Sequence, residues 1–438
     1  MKYKVYTARN YREISPISKL NSEDLHNIDV VSHVLPFKTN NYVVDELIDW
    51  DNFRNDPMFI FNFPQKEMLS AEQFDLISKM VRANASPAEI REQANKIREQ
   101  LNPHPAGQEL NLPVFDGETL DGAQHKYRET MLFFPSQGQT CHAYCTFCFR
   151  WPQFTGQSDL KFAMNEIDLV INYLKAHPEI TDLLLTGGDP MVMNAQILDT
   201  YISRILDANI PSLQTIRIGT KSLSFWPYRY ISDPDTAEVL ELFQKISSSD
   251  KTLSIMAHFN HPQELSTPAV RTAVEKILAT GAQIRTQSPL LNHINNHGDI
   301  WAEMWRKQVK MGMIPYYMFI ARDTGAKEYF DVPLAPAAAV FQQAYTQVSG
   351  IARTVRGPSM SCNPGKVRVV GTAKLGGEKV FVLEFIQGRN SQWVGTPFFA
   401  KYDPQASWID DLQPAFGEEK FFFEEELAEI ISTNVEKH

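Results

Sequence analysis

The sequence predicts an α/β protein: a partial (β/α)6 barrel of the TIM type, preceded by a mainly helical N-terminal region and followed by an α+β C-terminal extension. Three observations predict it. Short apolar runs rich in branched and aromatic residues recur, after a longer first unit, at roughly 29 to 38 residues. A helix-length amphipathic stretch follows each run. Distinctive polar motifs stand at the ends of five of the six runs, where the strands of such barrels carry their chemistry.

Taken in order, residues 1–124 form the N-terminal region. Within it, residues 70–101 carry apolar positions at three- to four-residue spacing, and Ser86 with Pro87 divides them into two helices. Residues 101–122 hold Pro and Gly without apolar periodicity, the pattern of a linker or wrapping loop. The barrel is expected over residues 125–330, with strands at 131–134, 182–186, 215–220, 253–259, 282–288 and 314–320. Helices are expected at about 165–176, 195–207, 236–247, 265–279 and 299–312, with another at 335–348. A complete barrel needs eight units, so six argue for a partial one. The C-terminal region, 331–438, holds a hairpin at 371–385 turning at Gly376-Gly377 and an acidic amphipathic helix in its tail.

Composition bounds the function classes. A formal net charge of −10 weighs against a nucleic-acid surface, which needs clustered Lys and Arg. No stretch approaches the ~18 apolar residues of a membrane span, and the charged N-terminus lacks a signal-peptide core. A cytoplasmic location is therefore expected. Four cysteines in 438 residues do not make a disulfide framework, and clustered thiols in a reducing compartment bind metal or do redox chemistry.

Three of the four, Cys141, Cys145 and Cys148, form C-x3-C-x2-C after the first expected strand. Structural zinc takes four ligands, and none of the right type and spacing completes this set; His142, next to Cys141, is expected to point away. Three thiolates on a 4Fe-4S cluster would leave one iron open for chemistry. A zinc knuckle with distant histidine help, or three unrelated thiols, are the plainer alternatives. Cys362 stands alone and reads as a packing thiol.

This cysteine loop, with an aromatic before its last Cys on the first strand of a six-strand barrel, resembles the radical S-adenosylmethionine (SAM) superfamily. The resemblance implies that the open iron binds SAM and that reductive cleavage yields a 5'-deoxyadenosyl radical. "TGGDP", 186–190, is similar to the superfamily's glycine-acid motif, which implies SAM contacts from Gly187, Gly188 and Asp189. Several separated motifs over about residues 40–370 resemble the lysine 2,3-aminomutase family more closely. "CFR" matches the family's Cys-x-Arg, implying that Arg150 pairs with a substrate carboxylate. "HFNHP" and "QSPLLNHINN" resemble SAM-contacting segments and imply His258 and Gln287 near SAM. "PYYMFIARDTG" implies that Asp323 engages the distal amine of the substrate. "SCNPGKVRVVG" places Lys366, after a turn, as the lysine that holds pyridoxal 5'-phosphate (PLP).

The resemblance thus implies a radical SAM, PLP-dependent enzyme, an isomerase that moves an α-amino group to the β-carbon of lysine or another amino acid. Its partners would be a small amino acid substrate and a reducing electron donor of the flavodoxin or ferredoxin class, with no nucleic acid or membrane; a homo-oligomer is compatible with it. Departures stand beside it. "GPSMSCNPGK" lacks the acid that lysine-specific members carry before the PLP lysine, Phe147 replaces a polar aromatic, and the missing C-terminal cysteines predict no zinc site. A PLP-independent radical SAM dehydrogenase, dehydratase or epimerase on the same scaffold, or a non-enzymatic iron-sulfur module, remains the alternative.

Overall fold

The computed structural model describes residues 1–102, 109–156 and 163–435. Part of the expected 101–122 loop, residues 103–108, lies outside them. Each repeating unit forms as its periodicity dictates. The first six parallel strands are β6 (Thr130–Phe133), β7 (Asp182–Leu185), β8 (Thr215–Thr220), β9 (Thr252–His258), β10 (Gln283–Leu290) and β11 (Ile314–Ile320). The helices between them span Ile167–Ala176, Ala195–Asp207, Thr236–Ser247, Pro268–Ala279 and Gly298–Lys310, close to expectation. Helix 195–207 shows the logic: Leu198, Tyr201, Ile202 and Ile205 make one buried stripe, and the Asn194 side chain caps it by accepting from Ile197 N–H at 2.9 Å.

Strand alternation separates the two faces of the sheet. On β8, Ile216 and Ile218 are buried, whereas Arg217 and Gly219 line the barrel interior. The sheet also extends further than the six expected strands. A seventh parallel strand, β12 (Arg356–Ser361), pairs with β11, and β13 (Gly365–Leu375), β14 (Glu378–Gly388) and β15 (Pro397–Lys401) continue it antiparallel. At the other edge β5 (Ala123–Tyr127) pairs antiparallel with β6, giving an eleven-stranded order from β15 to β5. The two unexpected edge partners have little strand signature: β12 reads RGPSMS and β5 reads AQHKY. β12 can still pack because a Cβ on Gly357 would collide with the Met318 carbonyl of β11. The hairpin turn at Gly376-Gly377 forms with both residues at positive φ, 57° and 89°. Its strands are longer than expected, and Lys366 is the second residue of β13, directly after the turn that joins β12 to β13.

The N-terminal region folds over the mouth of the barrel. Its helices Ala71–Arg82 and Pro87–Gln100 both start with capping boxes, Ser70 with Gln73 and Ser86 with Glu89. Strands β1 (Val5–Thr7) and β2 (Lys38–Asn40) pair antiparallel and hold the cysteine loop from outside. Tyr144 N–H donates to the Lys38 carbonyl at 2.7 Å, Lys38 Nζ donates to the Cys141 carbonyl at 2.5 Å, and Tyr3 Oη and Asn40 Nδ2 donate to the His142 carbonyl at 2.7 and 3.2 Å. The remaining short strands, β3 (Val114–Phe115) and β4 (Glu118–Thr119), form a small hairpin. Among the described residues no helix is long and apolar enough to cross a membrane.

Two buried acids tie the strand ends together beneath that loop. Asp189 accepts from Thr220 Oγ1 at 2.7 Å, Met191 N–H at 2.9 Å and Lys221 N–H at 2.9 Å, joining the ends of β7 and β8. Glu264, fully buried, accepts from Lys221 Nζ at 2.6 Å and from His261 N–H at 2.7 Å, and also from Ser224 Oγ and Asn260 N–H. Lys221 Nζ donates further to Asn260 Oδ1 at 2.8 Å and lies 4.6 Å from the Phe225 ring centre. Removing one partner of such a pair leaves the other charged and dehydrated. Glu264→Ala is expected to destabilise the protein by about 3–5 kcal/mol. Urea unfolding followed by far-ultraviolet circular dichroism checks this, and a loss below about 1 kcal/mol, the range of an exposed pair, would refute it.

Candidate active site

One cavity of about 760 Å³ occupies the barrel interior and opens toward the C-terminal ends of the parallel strands. Every site residue expected from the sequence lines it: Cys141, Cys145, Cys148, Arg150, Gly187, Gly188, Asp189, His258, Gln287, Asp323 and Lys366. These residues come from six separate segments of chain, and the strand ends bring them together.

The cysteine loop leaves β6, turns through Ser136–Gly138 and ends at the short 3-10 helix Trp151–Phe154. Burial pushes all three thiols up, Cys148 to about 11 against the lowering effect of Arg150; Cys148 raises Cys141 and Cys145 further, and Cys145 raises Cys141. Such thiols become thiolates when a metal supplies compensating charge. Among the described residues no three His, Cys, Asp or Glu side chains converge as the ligands of one ion do. Thiols spread around one cavity mouth suit a multi-iron cluster, which offers separate iron atoms as attachment points. His142 turns away as expected: its ring meets Tyr3 edge-on at 5.9 Å, and burial lowers it to about 3.

Gly187 and Gly188 serve local packing. Gly187 has φ 142°, and a Cβ on Gly188 would run into the Thr140 backbone, so the glycine motif lies against the cysteine loop. Asp189 N–H donates to the Thr140 carbonyl at 2.7 Å. The Asp189 carboxylate, expected as an acceptor for SAM, is engaged by Thr220, Met191 and Lys221, and burial raises it to about 6. His258, at the end of β9, is held neutral by burial and by the Lys221 charge, and its ring meets Phe147 edge-on at 6.1 Å. Gln287 sits on β10 where the register with β11 shifts, which turns its side chain to the cavity.

At the opposite pole, Lys366 Nζ donates to Gln387 Oε1 at 2.9 Å and lies 4.2 Å from the Tyr317 ring centre. Burial holds this amine well below the ordinary lysine range, and the charges of Arg217, Arg356 and Lys126 push it lower. Lys126, which donates to the Cys362 carbonyl, is itself lowered by burial to about 7. Between the poles, Arg150 lies 4.5 Å from the Phe134 ring centre, and its Nη1 has no hydrogen-bond partner. Burial lowers Arg150 to about 10. Asp323 is mostly buried, with Oδ1 3.7 Å from Arg322 Nε.

Sequence reasoning missed Lys126, Arg217, Arg322 and Tyr317. Arg217 had a signal, a charged residue between two buried isoleucines in a strand, which alternation turns inward. Tyr317 had the same parity on β11. Lys126 had none, because β5 carries no strand pattern.

A family model described as a 4Fe-4S single cluster domain matches residues 130–222, from β6 through the cysteine loop to just past β8. A putative L-lysine 2,3-aminomutase of Aquifex aeolicus is 29% identical over 404 residues, 92% of this chain and 95% of its own length. The L-lysine 2,3-aminomutase of Clostridium subterminale is 28% identical over 60% of this chain and 59% of its own, and the glutamate 2,3-aminomutase of Clostridioides difficile is 28% identical over 48% and 47%. The chain thus spans about half to three-fifths of these two relatives. The solved structure of Streptococcus suis SuiB bound to S-adenosylmethionine aligns with 63% of this chain and 58% of its own at 12% identity, with a TM-score of 0.36. With its three cysteines on the loop after the first parallel strand, the chain is thus similar over nearly its full length to a putative L-lysine 2,3-aminomutase, and its cysteine loop lies within a match to a 4Fe-4S single cluster domain.

Proposed function

We propose that the protein is a radical SAM, PLP-dependent amino acid 2,3-aminomutase, moving an α-amino group to the neighbouring carbon. The observation that carries this reading is one cavity lined by the three thiols at one pole and by a buried lysine, its amine held well below the ordinary lysine range, at the other. Cys141, Cys145 and Cys148 would hold the cluster, which with SAM would supply the radical chemistry. PLP on Lys366 supplies an unsaturated nitrogen partner through which an amino group can migrate, a use distinct from its usual electron sink.

The residues of the chain fit these groups. A lysine that bonds to an aldehyde must be a neutral amine, and burial among cations favours that form of Lys366. Those same cations, Lys126 and Arg217 on the cavity wall, would receive a phosphate. Gln387 orients the lysine amine by its 2.9 Å hydrogen bond. Neutral His258 and Gln287, with the backbone at Gly187–Gly188, border the space beside the thiols and would contact SAM. Arg150, buried with an unsatisfied nitrogen, would take the α-carboxylate of the substrate by a charge-assisted bond, and Asp323 stands on the same wall. Phe147, Met256, Pro289 and Phe319 line the cavity and keep water from the reacting carbon.

The anaerobically reconstituted protein is expected to show iron-sulfur absorbance, lost on Cys148→Ser, and to release 5'-deoxyadenosine from SAM under reduction. Borohydride treatment should leave a pyridoxyl group on Lys366, found by peptide mass spectrometry and absent from Lys366→Ala. An intact cluster that cleaves SAM without that adduct would refute the aminomutase reading.

The depressed Lys366 amine carries a second expectation, with the sign fixed by its direction. An amine held well below the ordinary lysine range gains less neutral fraction on raising the pH than an exposed lysine, which gains about a hundredfold between pH 7 and 9. Brief acylation of the PLP-free protein should therefore label Lys366 at a rate that changes less than about threefold over that range. A rise parallel to the exposed lysines would show that Lys366 is an ordinary ammonium.

A further inference from the structure

The substrate class follows one step further from the same cavity, resting on the aminomutase reading. Arg322, just past the end of β11, lines the cavity beside Asp323. Its guanidinium lies 5.6 Å from the Phe149 ring centre and 5.8 Å from that of Trp408. Arg150 lies against the same Phe149 ring, at 5.1 Å. Both guanidinium groups carry a buried nitrogen without a hydrogen-bond acceptor, Nη1 of Arg150 and Nε of Arg322. Asp323 Oδ1 stands 3.7 Å from Arg322 Nε, beyond hydrogen-bond reach.

Two of the other acids on the wall are engaged elsewhere. Asp182 is bonded to Arg217 at 2.7 Å, and Asp189 is filled by Thr220 and backbone N–H groups. Two adjacent cations, Arg322 only partly buried, each with a buried open donor, favour an anion at each. A substrate α-carboxylate meets one; the second calls for a second acid group on the same molecule. A substrate ending in an ammonium would instead bring a further cation beside Arg322.

We propose that the substrate is an amino acid with an anionic side chain, and that Arg322 receives that side-chain group while Arg150 receives the α-carboxylate. Planar donor forks suit both tasks, and stacking on Phe149 fixes their orientation. Asp323 then acts as a positioning residue for Arg322.

The test uses the anaerobically reconstituted protein with its cluster, SAM and PLP. Calorimetric titration with L-glutamate, L-aspartate, L-lysine and L-norleucine is expected to find at least one of the two acidic amino acids binding tenfold or more tightly than both lysine and norleucine. Arg322→Gln should weaken that acidic ligand by tenfold or more while leaving norleucine within about twofold, and Arg322→Lys should restore part of the preference. Circular dichroism of both variants establishes that they are folded. Lysine or norleucine binding as tightly as the acids, no binding by either acid, or a preference untouched by Arg322→Gln would overturn the proposal. Release of 5'-deoxyadenosine and the Lys366 adduct, recorded on the same preparation, separate the two readings. Their loss with anion preference intact sinks the aminomutase reading alone, and their presence without it sinks the substrate class alone.

Discussion

The cavity depends on a buried ion pair that contributes little stability by itself. Lys221 and Glu264 meet at 2.6 Å with side chains 8% and 0% exposed, so both ions have given up most of their water. The attraction within such a pair roughly offsets that dehydration, and similar-sized apolar residues would often do as well for stability alone. What the pair adds here is geometry. Glu264 gathers N–H groups from the turn after β9, Lys221 follows β8, and Asp189 binds the start of that same turn to the end of β7. Three successive strand ends are therefore bonded through ions and backbone, not through loop packing. The glycine motif that carries Asp189 presses on Thr140, and the cysteine loop inherits its position from it.

Charge placement in the cavity follows from the same low-dielectric setting. A carboxylate lined up with every cation would have neutralised the wall, and β7 with β8 does this locally through Asp182 and Arg217. Toward Lys366 the balance shifts: Lys126, Arg217 and Arg356 all press on one amine. An amine there costs less free energy neutral than charged, so the fold itself makes a nucleophile. Cys362, alone in sequence, helps at a distance, because its carbonyl receives Lys126 and keeps that cation on the wall.

Legibility in the sequence tracks how far one period dominates a segment. Helix 195–207 and β9 announce themselves because each buries one continuous face against a uniform apolar layer. The cysteine spacing is equally plain, since three thiols in eight residues have few other uses. β5 and β12 are different. Both sit where the sheet leaves the regular repeat, and both exchange apolar alternation for cavity-facing or close-packed residues, Gln124 and Lys126 on one and Gly357 on the other. Their register is set by the neighbouring strand, a tertiary cause that no local pattern records. Lys366 was found by its motif, yet its environment was not: the cations that lower it arrive from β5, β8 and β12, strands far apart in the chain.

The two poles of the cavity also require something between them. Groups at the thiol end and at Lys366 gain from a dry wall, since water would screen the cations and admit side reactions. Leu132, Leu184, Met256 and Phe319 supply it from the inward positions of four strands, the same parity that elsewhere carries Thr130, Asp182, His258 and Tyr317. A one-residue slip in any of these strands would send the apolar wall outward and bring the helix-packing face in. The bonded strand ends therefore protect more than the cysteine loop. By fixing register at the C-terminal edge, Asp189 and Glu264 also fix which residues of each strand can meet in the cavity.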